Sequence, residues 1–179
     1  MRNAECGIAP HPGPLPGRER ENKRSSPPRG EDSGEGSERE YVSVLYETFE
    51  HEADIGIRGF GYSLEEAFEN SAIALYSVMV NIDRVDPKKK RTVSASAPDR
   101  ELLLVEWLNA LLALSDIERL VFSKFDVKIE AMSLIGSAWG EPLDHVRHEA
   151  HVEVKGATYH LLKVAEENGR FVSQCVVDV

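Results

Sequence analysis

Apolar and polar residues alternate at period two through Val42, Val44 and Tyr46, and the polar group His51-Glu52-Ala53-Asp54 then breaks the run. Ile55, Ile57 and Phe60 resume it, with Gly56, Gly59 and Gly61 between them. This pattern predicts a strand over Val42–Phe49 and its successor over Ile55–Phe60. The glycines leave room for another backbone, a bulge or an ion to come close. From Ser63 the period changes. Leu64, Ala67, Phe68, Ser71, Ala72, Leu75 and Met79 recur at helical spacing, with Glu65, Glu66, Glu69 and Asn70 on the opposite face. Ser63 and Glu66 form a capping box that opens this helix. Thr92–Ala97 alternates as a strand, and Asp99 is placed to cap a second helix. That helix is apolar nearly all round from Leu102 to Leu114, broken by Glu106 and Asn109, so it should be the more buried of the two, with Trp107 as its anchor. Further strands are predicted at Phe125–Glu130, Leu134–Trp139, Ala157–Ala165 and Arg170–Val177. Asn168-Gly169 joins the last two as a tight hairpin. The expected architecture is α/β of the α+β type, two helices packed on one face of a mixed, mainly antiparallel sheet.

Composition places the domain boundary near Tyr41. Residues 1–40 hold six of the nine prolines and six of the thirteen glycines, with little apolar periodicity. A stretch so poor in apolar residues is expected to be a disordered tail, leaving residues 41–179 as one domain. The tail lacks the apolar segment of a signal peptide, and no run of about 18 apolar residues occurs to span a bilayer. A cytoplasmic location is the expectation. From Tyr41 onward 14 Lys and Arg face 23 Asp and Glu, a net charge of −9, so the acidity belongs to the domain. Such a domain repels phosphates at long range, which argues against tight nucleic-acid binding and for a protein partner or cations. The run Lys88-Lys89-Lys90-Arg91 is short and without interleaved aromatics, and it reads as a solvated loop. Cys6 and Cys175 form no CxxC pair, and Cys175 lies in an apolar strand.

Candidate chemistry lies at two places. Asp54 stands between apolar runs, where it suits either a turn cap or a functional acid. Asp178 is next to last and Val179 ends the chain with a free carboxylate. A final strand reaching Asp54 would gather up to three anionic groups, which need a cation or protons to neutralise them. Hard oxygen donors point to Ca²⁺, Mg²⁺ or Mn²⁺ rather than Zn²⁺. His145, His148 and His151 instead suggest a zinc-dependent hydrolase, with Glu149 or Asp144 as base, although no HExxH arrangement is present. Gly56, Gly59 and Gly61 lack the order of a dinucleotide-binding loop, and no GxxxxGK[ST] occurs. Few marks of an enzyme remain.

The stretch His51-Glu52-Ala53-Asp54-Ile55-Gly56 resembles the signature of the archease family, and four further stretches match in the family's order: SLEEAFENSAIAL from Ser63, WGEPLD from Trp139, VKGATYH from Val154 and VVDV from Val176. Gly156 and Ala157 depart from the family's usual alanine and isoleucine. The resemblance implies an accessory protein rather than an enzyme: an activator of the RtcB-type RNA ligase that assists guanylylation and repeated turnover in tRNA splicing or RNA repair. It implies that Asp54, Asp178 and Val179 bind a calcium-type ion. His51, His148 and His160 are then candidate supporting or interface residues. An alternative within the family is a chaperone or modulator of another RNA-processing enzyme, such as a tRNA methyltransferase.

Overall fold

A computed structural model describes residues 44–179. The expected tail, residues 1–40, and the start of the first predicted strand lie outside the described residues. Within them the chain forms, in order, β1 (Tyr46–His51), β2 (Asp54–Gly61), α1 (Leu64–Met79), β3 (Lys89–Ser96), α2 (Arg100–Glu118), β4 (Leu120–Glu130), β5 (Ser133–Pro142), β6 (Gly156–Ala157), β7 (Lys163–Glu167) and β8 (Arg170–Asp178). This is an α+β fold. The strands divide into two sheets rather than sharing one. A five-stranded sheet runs β1-β2-β8, with β6 and β7 side by side along the far edge of β8, and a three-stranded sheet runs β3-β5-β4. Every registered pairing is antiparallel.

The helices begin where the capping residues predict. Glu66 N–H donates to Ser63 Oγ (3.1 Å), and Tyr62 N–H donates back to the Glu66 carboxylate (2.7 Å). Leu102 N–H donates to Asp99 Oδ1 (2.7 Å) at the start of α2. Helix α1 packs on β1, β2 and β8 and also touches β4, so it bridges the two sheets. It sits unusually close to β2. A methyl group at Gly59 would lie 2.3 Å from both Ala67 O and Ser71 N, and one at Gly61 would lie 2.5 Å from Ala67 N. Backbone-to-backbone approach of this kind is what the absent side chains permit. Ser71 and Ser173 bridge the same contact through their buried hydroxyls (2.6 Å), and Ser173 Oγ donates to Ala67 O (2.8 Å). Helix α2 lies against β3 and β6, with Trp107 fully buried in the central cluster, but it is not the more enclosed helix that its composition predicts: Glu106, Ala113 and the last turn from Asp116 to Glu118 are exposed, whereas α1, held between the two sheets, exposes only Glu66.

Three strand boundaries differ from the alternation pattern. β4 starts at Leu120, because Leu120, Val121 and Phe122 are all buried and a bulge between Phe122 and Lys124 resets the alternation. β3 starts at Lys89, so most of the basic run is strand rather than loop, paired with Trp139 and its neighbours. The predicted strand Ala157–Ala165 is two short ones. Leu161 takes a left-handed conformation (φ 49°), and the loop between β6 and β7 is tied to β8 by Thr158 N–H to Val176 O (2.9 Å) and Val176 N–H to His160 O (3.1 Å).

Candidate functional site

Strand pairing decides which candidates meet. β1 and β2 turn back on each other through Glu52 and Ala53, with Glu52 in the left-handed region (φ 53°), so that His51 faces Asp54 across the hairpin. β2 then pairs with β8, and the last registered pair is Ile55 with Val177. One step further, the same register brings Asp54 alongside Asp178, while β6 places Gly156 opposite Asp178 on its other side. His51, Asp54, Asp178 and the chain terminus thus line up across one end of the five-stranded sheet. Cross-strand neighbours in such a ladder are close enough for carboxylates to repel.

The structure answers that repulsion with a side chain that sequence reasoning passed over. Lys155 Nζ donates to Val179 O (2.9 Å) and lies 3.8 Å from Asp178 Oδ1. Its own N–H donates to Asp178 O (2.9 Å). A cation therefore already rests on two of the acceptors nominated for an ion. The nominated donors are two carboxylates and the terminal residue, all hard oxygens, and this set fits a divalent cation of the Ca²⁺ or Mg²⁺ kind. No three His, Cys, Asp or Glu side chains among the described residues are grouped to hold a metal.

His160 joins this end of the sheet from the loop after β6. Its Nε2 is 3.2 Å from His51 Nε2, and the rings meet edge to face with centroids 4.6 Å apart. For the two nitrogens to share a hydrogen bond, one carries the hydrogen and the other accepts it. Asn109, which interrupts the apolar face of α2, positions β6 from beneath. Ala157 N–H donates to Asn109 Oδ1 (2.8 Å), and Asn109 Nδ2 donates to Ala157 O (3.2 Å). One amide thus serves as strand partner to the edge that flanks Asp178. Its signal in the sequence was that, with Glu106, it breaks an otherwise apolar helix.

The third candidate histidine is placed differently. His148 is fully buried. Its Nδ1 accepts from Asp144 N–H (3.1 Å), so Nε2 carries the hydrogen and donates to Glu141 Oε1 (3.1 Å). A ring so enclosed cannot itself touch a partner, and its hydrogen bonds hold the loop after β5. Burial pushes the Glu141 carboxyl up. Hydrogen bonds from Arg147, the Asp86 backbone, Lys88 and His148 outweigh it and hold the group well below the usual carboxylate range. His145 and His151 are exposed, so the three imidazoles of the zinc reading do not assemble. Cys175 is buried, and its thiol is pushed up to about 12 by desolvation, which leaves it inert as a nucleophile.

Comparison with known proteins places this geometry in context. Residues 46–179 match the Archease protein family. The archease of Pyrococcus abyssi is 48% identical over 139 residues, covering 75% of this chain and 98% of its own. That of Sulfurisphaera tokodaii is 43% identical over 136 residues, with the same coverage of each. A solution structure of a Methanobacterium thermoautotrophicum protein, 37% identical, superposes with a TM-score of 0.67 over 75% of this chain and 99% of its own. A crystal structure from Thermotoga maritima, described as an archease and possible chaperone, shares the fold at a TM-score of 0.52 and 20% identity.

Proposed function

The chain belongs to the archease family, and from that premise we propose that it is an accessory protein that activates an RtcB-type RNA ligase, promoting guanylylation and repeated turnover of the ligase through the end of the sheet built by Asp54 and Asp178. The observation that carries this reading is the register of β2 and β8, which draws two carboxylates and the chain terminus together. Nothing in the core gains from such a cluster. Close like charges cost stability, so a site that concentrates them is better explained by what it meets.

Asp54 and Asp178 present negative charge at the projecting end of two paired strands, where it can enter a cationic, metal-bearing cleft. Lys155 compensates Asp178 and the terminal residue in the free protein. Asn109 and the β6 pairing hold Asp178 in place, and the His51–His160 contact closes the neighbouring side. A divalent cation bound by Asp54, Asp178 and Val179, Ca²⁺ first and Mg²⁺ or Mn²⁺ as alternatives, would supply a positive charge able to take phosphate oxygens of the nucleotide. The net charge of −10 suits a protein that docks on a basic enzyme without holding RNA tightly itself.

The test is guanylylation and multiple-turnover ligation by the ligase of the same organism, with GTP and a divalent ion, in the presence and absence of this protein. Native protein should stimulate both. Asp54→Ala and Asp178→Ala should each lose at least tenfold of the stimulation while circular dichroism stays unchanged. Full stimulation by both variants would remove the acidic end from the mechanism. No stimulation by native protein would remove the ligase.

A further inference from the structure

The solvent face of the three-stranded sheet carries a cluster that the ligase reading leaves unused. Strand register sets Lys90, Trp139 and Lys124 in one row across β3, β5 and β4. The two ammonium groups lie 5.0 and 5.1 Å from the centroid of the Trp139 ring. Two rows along, Ile135 is 61% exposed and paired with Lys128, and Ser137 lies in the row between. The basic run therefore does have an aromatic among its charges, supplied by the neighbouring strand rather than by adjacent sequence. Buried Leu134 and Ala138 turn the opposite face of the same strands into the core, so among the described residues this face is the sheet's open side.

We propose that this face is a weak binding platform for single-stranded RNA. A flat antiparallel sheet suits an extended single strand, whose phosphates meet lysines on the outer strands while a base covers the indole. The outer strands are about 10 Å apart, two strand spacings, which is room for two or three nucleotides. Aromatic and apolar side chains offer stacking surface to any base, whereas an acidic peptide would use only the lysines. The cluster is local in a chain of net charge −10, and Asp126 shares the face, so binding is expected to be shallow and to vanish with salt. This inference stands apart from the ligase reading and needs no second protein to test.

The experiment is fluorescence anisotropy of a labelled oligouridine titrated with the full chain at low salt. Binding should weaken about tenfold in Trp139→Ala and in Lys90→Gln/Lys124→Gln, with Trp139→Phe recovering most of the affinity. Its log–log salt slope should be about −2, as for three phosphates on a single strand. Asp54→Ala should bind as the native chain does. The lysine pair is exposed, so its variant separates loss of contact from loss of fold. The proposal falls if both variants bind like native protein, or if no binding is seen at low salt. It also falls if poly-glutamate competes as well as oligouridine and Trp139→Ala has no effect, which would make the occupant an acidic protein segment.

Discussion

Asn109 does more for the acidic end of the sheet than its distance in sequence suggests, because a single amide satisfies both backbone groups of Ala157. Removing it leaves an N–H and a carbonyl without partners at a half-buried edge, a loss of about 1–3 kcal/mol. Asn109→Ala should lower the urea midpoint accordingly and speed hydrogen exchange at Ala157, with ligase stimulation reduced because β6 no longer fixes Asp178. Glu69 acts in a different sense. Burial raises its pKa; a hydrogen bond from Val127 N–H opposes this, and the charges of Asp126, Glu66 and Glu65 raise it further, to about 7 from the ordinary 4.5. The folded chain then holds the proton more tightly than the unfolded one. Its contribution is fully present below pH 4.5 and is lost as pH rises to about 7, after which it is constant. Glu69→Gln keeps the acceptor for Val127 N–H and removes the titration. Its urea midpoint should gain on the native value between pH 4.5 and 8; a constant difference would show that Glu69 does not titrate in this range. Both residues were visible in the sequence, Asn109 as a break in an apolar helix and Glu69 on the polar face of α1. Their roles were not, because each depends on a strand far along the chain.

Among the elements, legibility followed how local the determining physics is. Both helix starts were readable because a cap needs only residues three apart. The β7–β8 hairpin was readable too, since Asn168 (φ 52°) and Gly169 (φ 77°) are the residue types that tolerate its left-handed turn. The β4–β5 hairpin makes the same demand with unsuited residues. Ala131 (φ 47°) and Met132 (φ 63°) are both left-handed, and neither announces a turn. Pairing of the long flanking strands imposes that conformation against a cost of about 1–2 kcal/mol per residue. Ala131→Asn/Met132→Gly should therefore stabilise the domain by about 1–2 kcal/mol, read as a raised urea midpoint with an unchanged m-value. A lowered midpoint would mean that the Met132 side chain contributes more through packing than its backbone costs. The bulge in β4 and the split between β6 and β7 escaped the alternation pattern for a related reason. Each is set by pairing to another strand, and each breaks the period that reveals strands in the first place.

Across the whole molecule, the division into two sheets and the meeting of Asp54 with Asp178 are both long-range outcomes, since β2 and β8 are separated by most of the domain. Periodicity could state that helices cover sheet, but not how many sheets there are, because one amphipathic helix face looks the same over either. The likeness to a known family was what brought Asp54 and Asp178 together on paper; the spacing of the residues did not. Lys155 lies within the matched stretch VKGATYH, yet nothing local to that stretch shows that its ammonium would meet Asp178 and the chain terminus. The same scale governs the first forty residues. Curated relatives match over 98% of their own length while covering only 75% of this chain, so the shared fold begins near Tyr46. Residues 1–40 carry seven Lys and Arg against eight Asp and Glu, a net of −1, and their removal leaves the acidity of the domain intact at −9. A chain starting at Tyr41 keeps Val44, whose carbonyl accepts from Arg170 (2.8 Å), and Leu45, whose carbonyl accepts from Phe60 N–H (2.9 Å). That shortened chain should unfold at the native urea midpoint and stimulate the ligase as fully as the complete one. Unchanged stability with stimulation reduced would assign residues 1–40 a direct part in reaching the partner.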